Sequence, residues 1–289
     1  MIYLNPYKSA SSGSIKGRTE LKKITSRDNQ YIKQAISLKN RKHRIREQMF
    51  LLEGKTMVSE ALQGKHPLVR VLVDEANREE YQDLYEQYSG LEWLEIDTRL
   101  FKTIADTETP QGIIAVASVP SPDFAHLMGH NASLIMLDQI ADPGNLGTII
   151  RTAWALDIDG VLLNDGCTDP FSPKAVRASM GGILNIPVYT SVGEMEIELL
   201  KTAGYQVIGT ALDTGNTIFA NDYQKPTVIV IGSEARGISP KIKACCNNFS
   251  KIPTNPGVDS LNAAVACAII MMEVWKQRNS VLLSKDLLL

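Results

Sequence analysis

At 289 residues the chain is longer than one typical domain and can bury a separate core in each of two. With 44% hydrophobic and 21% charged residues it has the composition of a soluble globular protein, and no apolar run reaches the roughly 18 residues a membrane span needs. A net charge of −2 does not advertise a nucleic-acid binder, and four cysteines without a C-x-x-C pair exclude a zinc knuckle and suit a reducing cytoplasm.

Residues 1–20, rich in Ser, Gly and Lys and without the apolar stretch of a secretory signal, read as a disordered leader. The charge is uneven: Lys22, Lys23, Arg27, Lys33, Lys39, Arg41, Lys42, Arg44 and Arg46 crowd one region and leave the remainder acidic, which marks a polyanion contact or a solvated arm. Ile32, Ala35, Ile36 and Leu38 recur at helical spacing and predict one basic helix over 27–47, from an N-cap at Ser26 or Asp28. A strand over 50–54, a helix over 55–63, a strand over 69–73, a helix over 77–88, a strand over 93–96, a helix over 98–105 and a strand over 112–118 follow. This alternation predicts a small α/β domain over 21–118.

The turn-rich stretch 119–131, with Pro120 and Pro122, reads as a linker. His126 and His130 within it stand four apart, but no third ligand is near, so no metal site is expected. Beyond it, over 132–279, strands are predicted at 134–137, 160–163, 186–189, 206–210, 228–231 and 249–252, with helices at 145–157, 173–180, 193–203, 239–245 and 260–277. That is a mainly parallel sheet covered on both faces, with residues 280–289 as a short tail.

The dinucleotide fingerprint, the P-loop and the nucleophile elbow are all absent. Three polar, glycine-containing loops stand instead at predicted strand ends, where open α/β sheets bind ligands. The first runs Asp138-Gln139-Ile140-Ala141-Asp142-Pro143-Gly144-Asn145-Leu146-Gly147 toward Arg151; the second is Gly232-Ser233-Glu234-Ala235-Arg236-Gly237; the third is Asn255-Pro256-Gly257-Val258-Asp259-Ser260-Leu261-Asn262. Singly, each can be a helix cap or a turn, with Asn145 and Ser260 as N-caps. Together they bring Asn145, Arg151, Glu234 and Asn262 to one end of one sheet.

In order and spacing these loops resemble the three signature motifs of the SpoU/TrmH branch of the SPOUT RNA methyltransferases, and the segment Asp169 to Gly181 resembles that family's characteristic loop and helix. The third motif departs from the pattern at Ala263-Ala264 and at Pro256. Upstream, Phe50-Leu51-Leu52-Glu53-Gly54 and Thr109-Pro110-Gln111-Gly112 resemble the small RNA-binding domain that precedes this catalytic domain, and Ile24 to Asn29 resembles the start of members acting on ribosomal RNA.

The resemblance implies a trefoil-knotted, dimeric C-terminal domain that binds S-adenosylmethionine, preceded by a small α/β RNA-binding domain. It implies methyl transfer to a ribose 2′-hydroxyl, in ribosomal RNA ahead of transfer RNA; a catalytically inactive ribosome-assembly factor is the rival reading. Asn145, Arg151, Glu234 and Asn262 become the catalytic candidates, with Asn145 placing either Arg151 or the ribose. Thr210, Ala211, Ile231, Gly232, Gly237, Ile252 and Leu261 become the cofactor cradle. Lys33, Arg41, Lys42, Arg44, Arg46 and Arg177 become the RNA contacts, so that removing residues 1–46 should weaken RNA binding and spare the cofactor.

Overall fold

The computed structural model describes residues 21–255, 257 and 260–280; the expected leader and all of the tail but Ser280 lie outside these. Among the described residues, 21–119 together with Phe171–Arg177 form one compact unit, and Pro120–Pro170 with those from Ala178 onward form the other.

The first unit holds β1 (Lys22–Ile24), α1 (Gln30–Ser37), α2 (Arg41–Glu47), β2 (Met49–Glu53), α3 (Lys55–Gln63), β3 (Leu68–Asp74), α4 (Gln82–Gln87), β4 (Glu92–Ile96), α5 (Thr98–Ile104) and β5 (Ile113–Ser118). Its five-stranded sheet runs β1-β4-β3-β5-β2, with β1, β4 and β3 parallel and β5 antiparallel to both β3 and β2. The first strand escapes sequence periodicity because it is three residues long and buries only Ile24. Part of the expected helix over 77–88 is a 3₁₀ turn, Glu75–Tyr81, capped by the Asp74 carboxylate.

The single basic helix expected over 27–47 is two helices. Asn40 leaves helical geometry and its side chain accepts from the Lys42 backbone N–H at 2.9 Å, so it starts α2 afresh. The stripe that suggested one helix is core: Ile32, Ala35 and Leu38 pack with Ile24, Leu72, Leu94, Ile96 and Phe101. Removing residues 1–46 would therefore take out β1, both helices and part of this core, so that truncation tests folding rather than RNA contact. Arg44, expected on the RNA face, is only 4% exposed and donates to the Leu38 carbonyl at 2.7 Å, fixing the break between the two helices.

The second unit holds β6 (Ser133–Asp138), α6 (Pro143–Ala155), β7 (Gly160–Leu163), α7 (Pro173–Ala178, of which Pro173–Arg177 belong to the first unit), α8 (Gly182–Asn185), β8 (Val188–Tyr189), α9 (Glu194–Thr202), β9 (Gln206–Thr210), β10 (Thr227–Gly232), α10 (Pro240–Cys245), β11 (Asn248–Ser250) and α11 (Ala263–Arg278). Its six strands run β11-β9-β10-β6-β7-β8, and every adjacent pair is parallel. The apolar runs Leu134–Leu137 and Val228–Val230 are fully buried, as central strands covered on both faces require. Because all six strands point one way, the loops that follow β6, β9, β10 and β11 leave the same edge.

Candidate active site

The first loop leads from β6 into α6. Asp142, not Asn145, is the N-cap: its carboxylate accepts from the Asn145 backbone N–H at 2.8 Å, and Pro143 opens the helix, where its missing N–H is no loss. The Asn145 side chain is thereby freed to face its neighbours. The second loop leaves β10, paired in register with β6 so that Gly232 stands beside Asp138. Ser233 and Gly237 hydrogen-bond each other's backbones at 2.8 and 3.2 Å, closing a tight hairpin that holds out Glu234. Gly237 has φ +64°, a conformation glycine adopts without strain.

The third loop ends at Asn262, which, rather than Ser260, caps α11. Its Oδ1 accepts from the N–H groups of Ala264 and Val265 at 3.0 and 3.3 Å. The same side chain donates through Nδ2 to Asn145 Oδ1 at 3.0 Å and to Glu234 Oε1 at 3.3 Å. Glu234 Oε1 also accepts from Asn145 Nδ2 at 2.8 Å and from the Ala263 N–H at 3.1 Å. Three side chains separated by up to 117 positions thus close one ring of hydrogen bonds. The Glu234 carboxylate is charge-assisted in every one of its bonds, which makes it the centre of the ring.

Arg151 stands apart. It is exposed and makes no hydrogen bond or ion pair among the described residues, so its guanidinium is free for a ligand. It lies about 9 Å along α6 from Asn145 at 1.5 Å per residue. The helix is held there because α8 packs against it: a Cβ on Gly182 would come within 3.1 Å of the Arg151 Cα.

Beside the ring lies a cavity of about 560 Å³. Thr210, Ala211, Ile231, Gly232, Gly237, Ile252 and Leu261 all border it, as does Glu234. Gly232 is indispensable to its shape, because a Cβ there would fall on the backbone of Gly237 and Ile238, far inside the 3.0 Å that real Cβ atoms keep. Phe249 and Lys243, which sequence reading missed, also line it, with the Lys243 ammonium 5.5 Å from the Phe249 ring centroid. The signal for Phe249 was Gly209, where any side chain would collide with that ring.

Asp138 was missed as well. It is fully buried at the end of β6, and its carboxylate accepts from the Ser239 N–H at 2.5 Å and from the Asn164 side chain. Asn164 in turn accepts from the Gln139 N–H at 3.1 Å. One buried carboxylate therefore pins the root of the first loop to the foot of the second.

The four cysteines are free thiols, three of them buried and Cys246 half-buried. Burial pushes Cys167, Cys245 and Cys267 upward and Cys246 up to about 11, so none is poised as a thiolate. Covalent attack on a pyrimidine ring needs such a thiolate, whereas transfer to an oxygen does not.

Of the expected RNA contacts, Arg41, Lys42 and Arg46 are exposed on α2, and Lys33 is exposed on α1 with Asp28 at 2.9 Å. Arg46 pairs with Glu47 at 2.7 Å, and Arg177 pairs with Asp106. Arg44 is not among the accessible cations.

A parallel α/β sheet thus carries a polar ring, centred on the Glu234 carboxylate, beside a loop-built cavity. Residues 132–272 match the SpoU rRNA Methylase family and residues 29–115 match the MRM3-like substrate binding domain. The chain is 32% identical to the 23S rRNA (guanosine(2553)-2′-O)-methyltransferase RlmP of Bacillus subtilis, over 87% of this chain and 98% of that one. It is 30% identical to the 23S rRNA (uridine(2479)-2′-O)-methyltransferase of Streptomyces viridochromogenes, over 90% and 93%. The AdoMet-bound rRNA methyltransferase of Sinorhizobium meliloti superimposes with a TM-score of 0.79 at 30% identity, over 88% of this chain and 97% of that one. The chain belongs to the SpoU rRNA methylase family.

Proposed function

We propose that this protein is an S-adenosylmethionine-dependent methyltransferase that methylates a ribose 2′-hydroxyl of 23S ribosomal RNA. The ring of Asn145, Glu234 and Asn262 carries this reading, because it joins three polar side chains through Glu234, which borders the cavity, while Arg151 on the same helix as Asn145 is unpaired among the described residues. The cavity suits the cofactor in this reading: glycine at 232 lets the backbone of Gly237 and Ile238 close against it and shape the wall, and Thr210, Ala211, Ile231, Gly237, Ile252 and Leu261 would hold the group. When bound, S-adenosylmethionine supplies a methyl group on a cationic sulfur, activated toward an attacking oxygen.

The chain's own residues must then align that oxygen and stabilise the charge it develops. Glu234, held by Asn145, Asn262 and the Ala263 N–H, fixes the rim against which the ribose sits. Arg151 holds an RNA phosphate and stabilises the developing alkoxide; a guanidinium is a poor base, so it acts as a cation. The exposed Lys33, Arg41, Lys42 and Arg46 add sequence-independent phosphate contacts.

The test is transfer of labelled methyl from S-adenosylmethionine to 23S ribosomal RNA transcripts, with transfer RNA in parallel, followed by nucleoside analysis. Label on a 2′-O-methylated ribose of 23S RNA is expected. Label on a base would overturn the reading, and label confined to transfer RNA would overturn its substrate.

The enzyme works as a homodimer in this reading. Val265, Ile269 and Met272 recur at helical spacing on α11 and are 49%, 38% and 50% exposed, and Trp154 is exposed on α6, against which α11 packs. Sedimentation should give twice the chain mass, and Ile269→Glu should give the monomer; a monomeric wild type would refute this.

A further inference from the structure

The first unit carries a second cleft, of about 700 Å³, built wholly from its own residues. Tyr31 on α1 stands half-buried in its wall. The Arg70 guanidinium, from β3, lies 4.5 Å from the centroid of the Tyr31 ring, and the Lys22 ammonium lies 5.1 Å from it. Arg70 is only 13% exposed and is clamped: its Nε donates to Glu92 at 3.0 Å and its Nη1 to the Gln34 side-chain oxygen. Gln34 is itself oriented, donating to Glu47 at 2.9 Å. Lys33 and Arg46, 61% and 63% exposed, are the remaining cations of the lining, and Glu47 is its one carboxylate.

These features do not suit a structural role alone. A guanidinium locked against an aromatic ring makes a rigid, flat, polarised surface at no further ordering cost, and beside it Lys33 and Arg46 are exposed and paired with Asp28 and Glu47. Flat surface of this kind stacks nucleobases, while exposed cations can exchange their carboxylate partners for the phosphates on either side. The amide of Gln30, exposed in the same lining, can bond a base edge.

We infer that the Tyr31–Arg70 cleft binds an unpaired, extruded nucleotide of the substrate RNA. The inference rests on the RNA-methylating reading above and adds to it a stacking site separate from the catalytic loops. A stacked base contributes to RNA affinity without ion release, so this site and the exposed cations leave different signatures. The site acts on binding, so it changes KM and leaves kcat at saturating RNA unaltered.

The test uses the full-length protein and a 23S RNA transcript, measuring the RNA Kd across a salt series, the S-adenosylmethionine Kd, and methyl transfer. Tyr31→Ala should weaken RNA binding about tenfold with an unchanged salt slope, since stacking one base on an aromatic ring is worth roughly that much. Tyr31→Phe should bind within about twofold of wild type, and Tyr31→Leu, which fills the volume without a π face, should behave like alanine. Lys33→Ala with Arg46→Ala should instead flatten the salt slope by about two charges. Wild-type transfer combined with unaltered RNA binding by Tyr31→Ala and Tyr31→Leu overturns the cleft alone. Loss of S-adenosylmethionine binding in Tyr31→Leu also overturns it, because the defect is then general. Absence of transfer and of RNA binding by the wild type overturns both readings.

Discussion

Gly232→Ala should abolish measurable S-adenosylmethionine binding while leaving the first unit folded. The added Cβ would land on the carbonyl of Gly237 and the nitrogen of Ile238, both backbone atoms that no rotamer change can move aside. The loop between Ser233 and Gly237 must then open, and with it the hydrogen bonds those residues exchange at 2.8 and 3.2 Å. Displacement of about 1 Å at a preorganised site costs on the order of a hundredfold, and overpacking adds a few kcal/mol. Calorimetric titration should show cofactor affinity reduced at least about a hundredfold, and RNA affinity within about threefold of wild type. Near-normal cofactor binding would mean that the cavity lined by Gly232 is not the cofactor site.

Arg151→Ala should have the second largest effect, and of a different kind. Its side chain bonds to nothing among the described residues, so its removal costs little stability, and the Asn145–Glu234–Asn262 ring does not depend on it. Cofactor affinity should be unchanged. Single-turnover methyl transfer at saturating RNA should fall by about 10² to 10³, the usual consequence of deleting one group that stabilises developing charge. Arg151→Lys should recover only part of this, since an ammonium lacks the planar fork that grips phosphate at two points. Near-normal single-turnover rates in Arg151→Ala would remove Arg151 from the mechanism.

Much of this site could be read one-dimensionally because its loops are contiguous. Asn145 with Gly147, the run Gly232 to Gly237, and Leu261 with Asn262 each declare themselves within a few residues. What spacing could not supply was the job of each polar atom. Asn145 and Ser260 both look like helix caps in a sequence, yet Asp142 and Asn262 hold those positions. Several nearby residues can cap a helix, and the choice depends on where the preceding loop enters it.

Arg44 makes the converse point. A cluster of basic residues reads as a solvated polyanion face, but the break at Asn40 turns α2 so that Arg44 is buried against the Leu38 carbonyl while Arg41, Lys42 and Arg46 stay outside. Arg70 and Tyr31 were silent in the sequence for a related reason: they are far apart in the chain and meet only because β3 lies beside α1.

The sequence by itself determined the alternation of strands and helices and the buried parallel strands. It also determined the identity of the loop residues, since local periodicity and turn chemistry act over a few positions. Only the tertiary structure decided that β10 lies beside β6, with Gly232 in register with Asp138. That pairing brings Glu234 to Asn145, and the entry of α11 brings Asn262 to both, over separations of 89 and 117 positions. Strand order and loop closure are long-range choices settled by burying two sheet faces at once, and no window of sequence contains them.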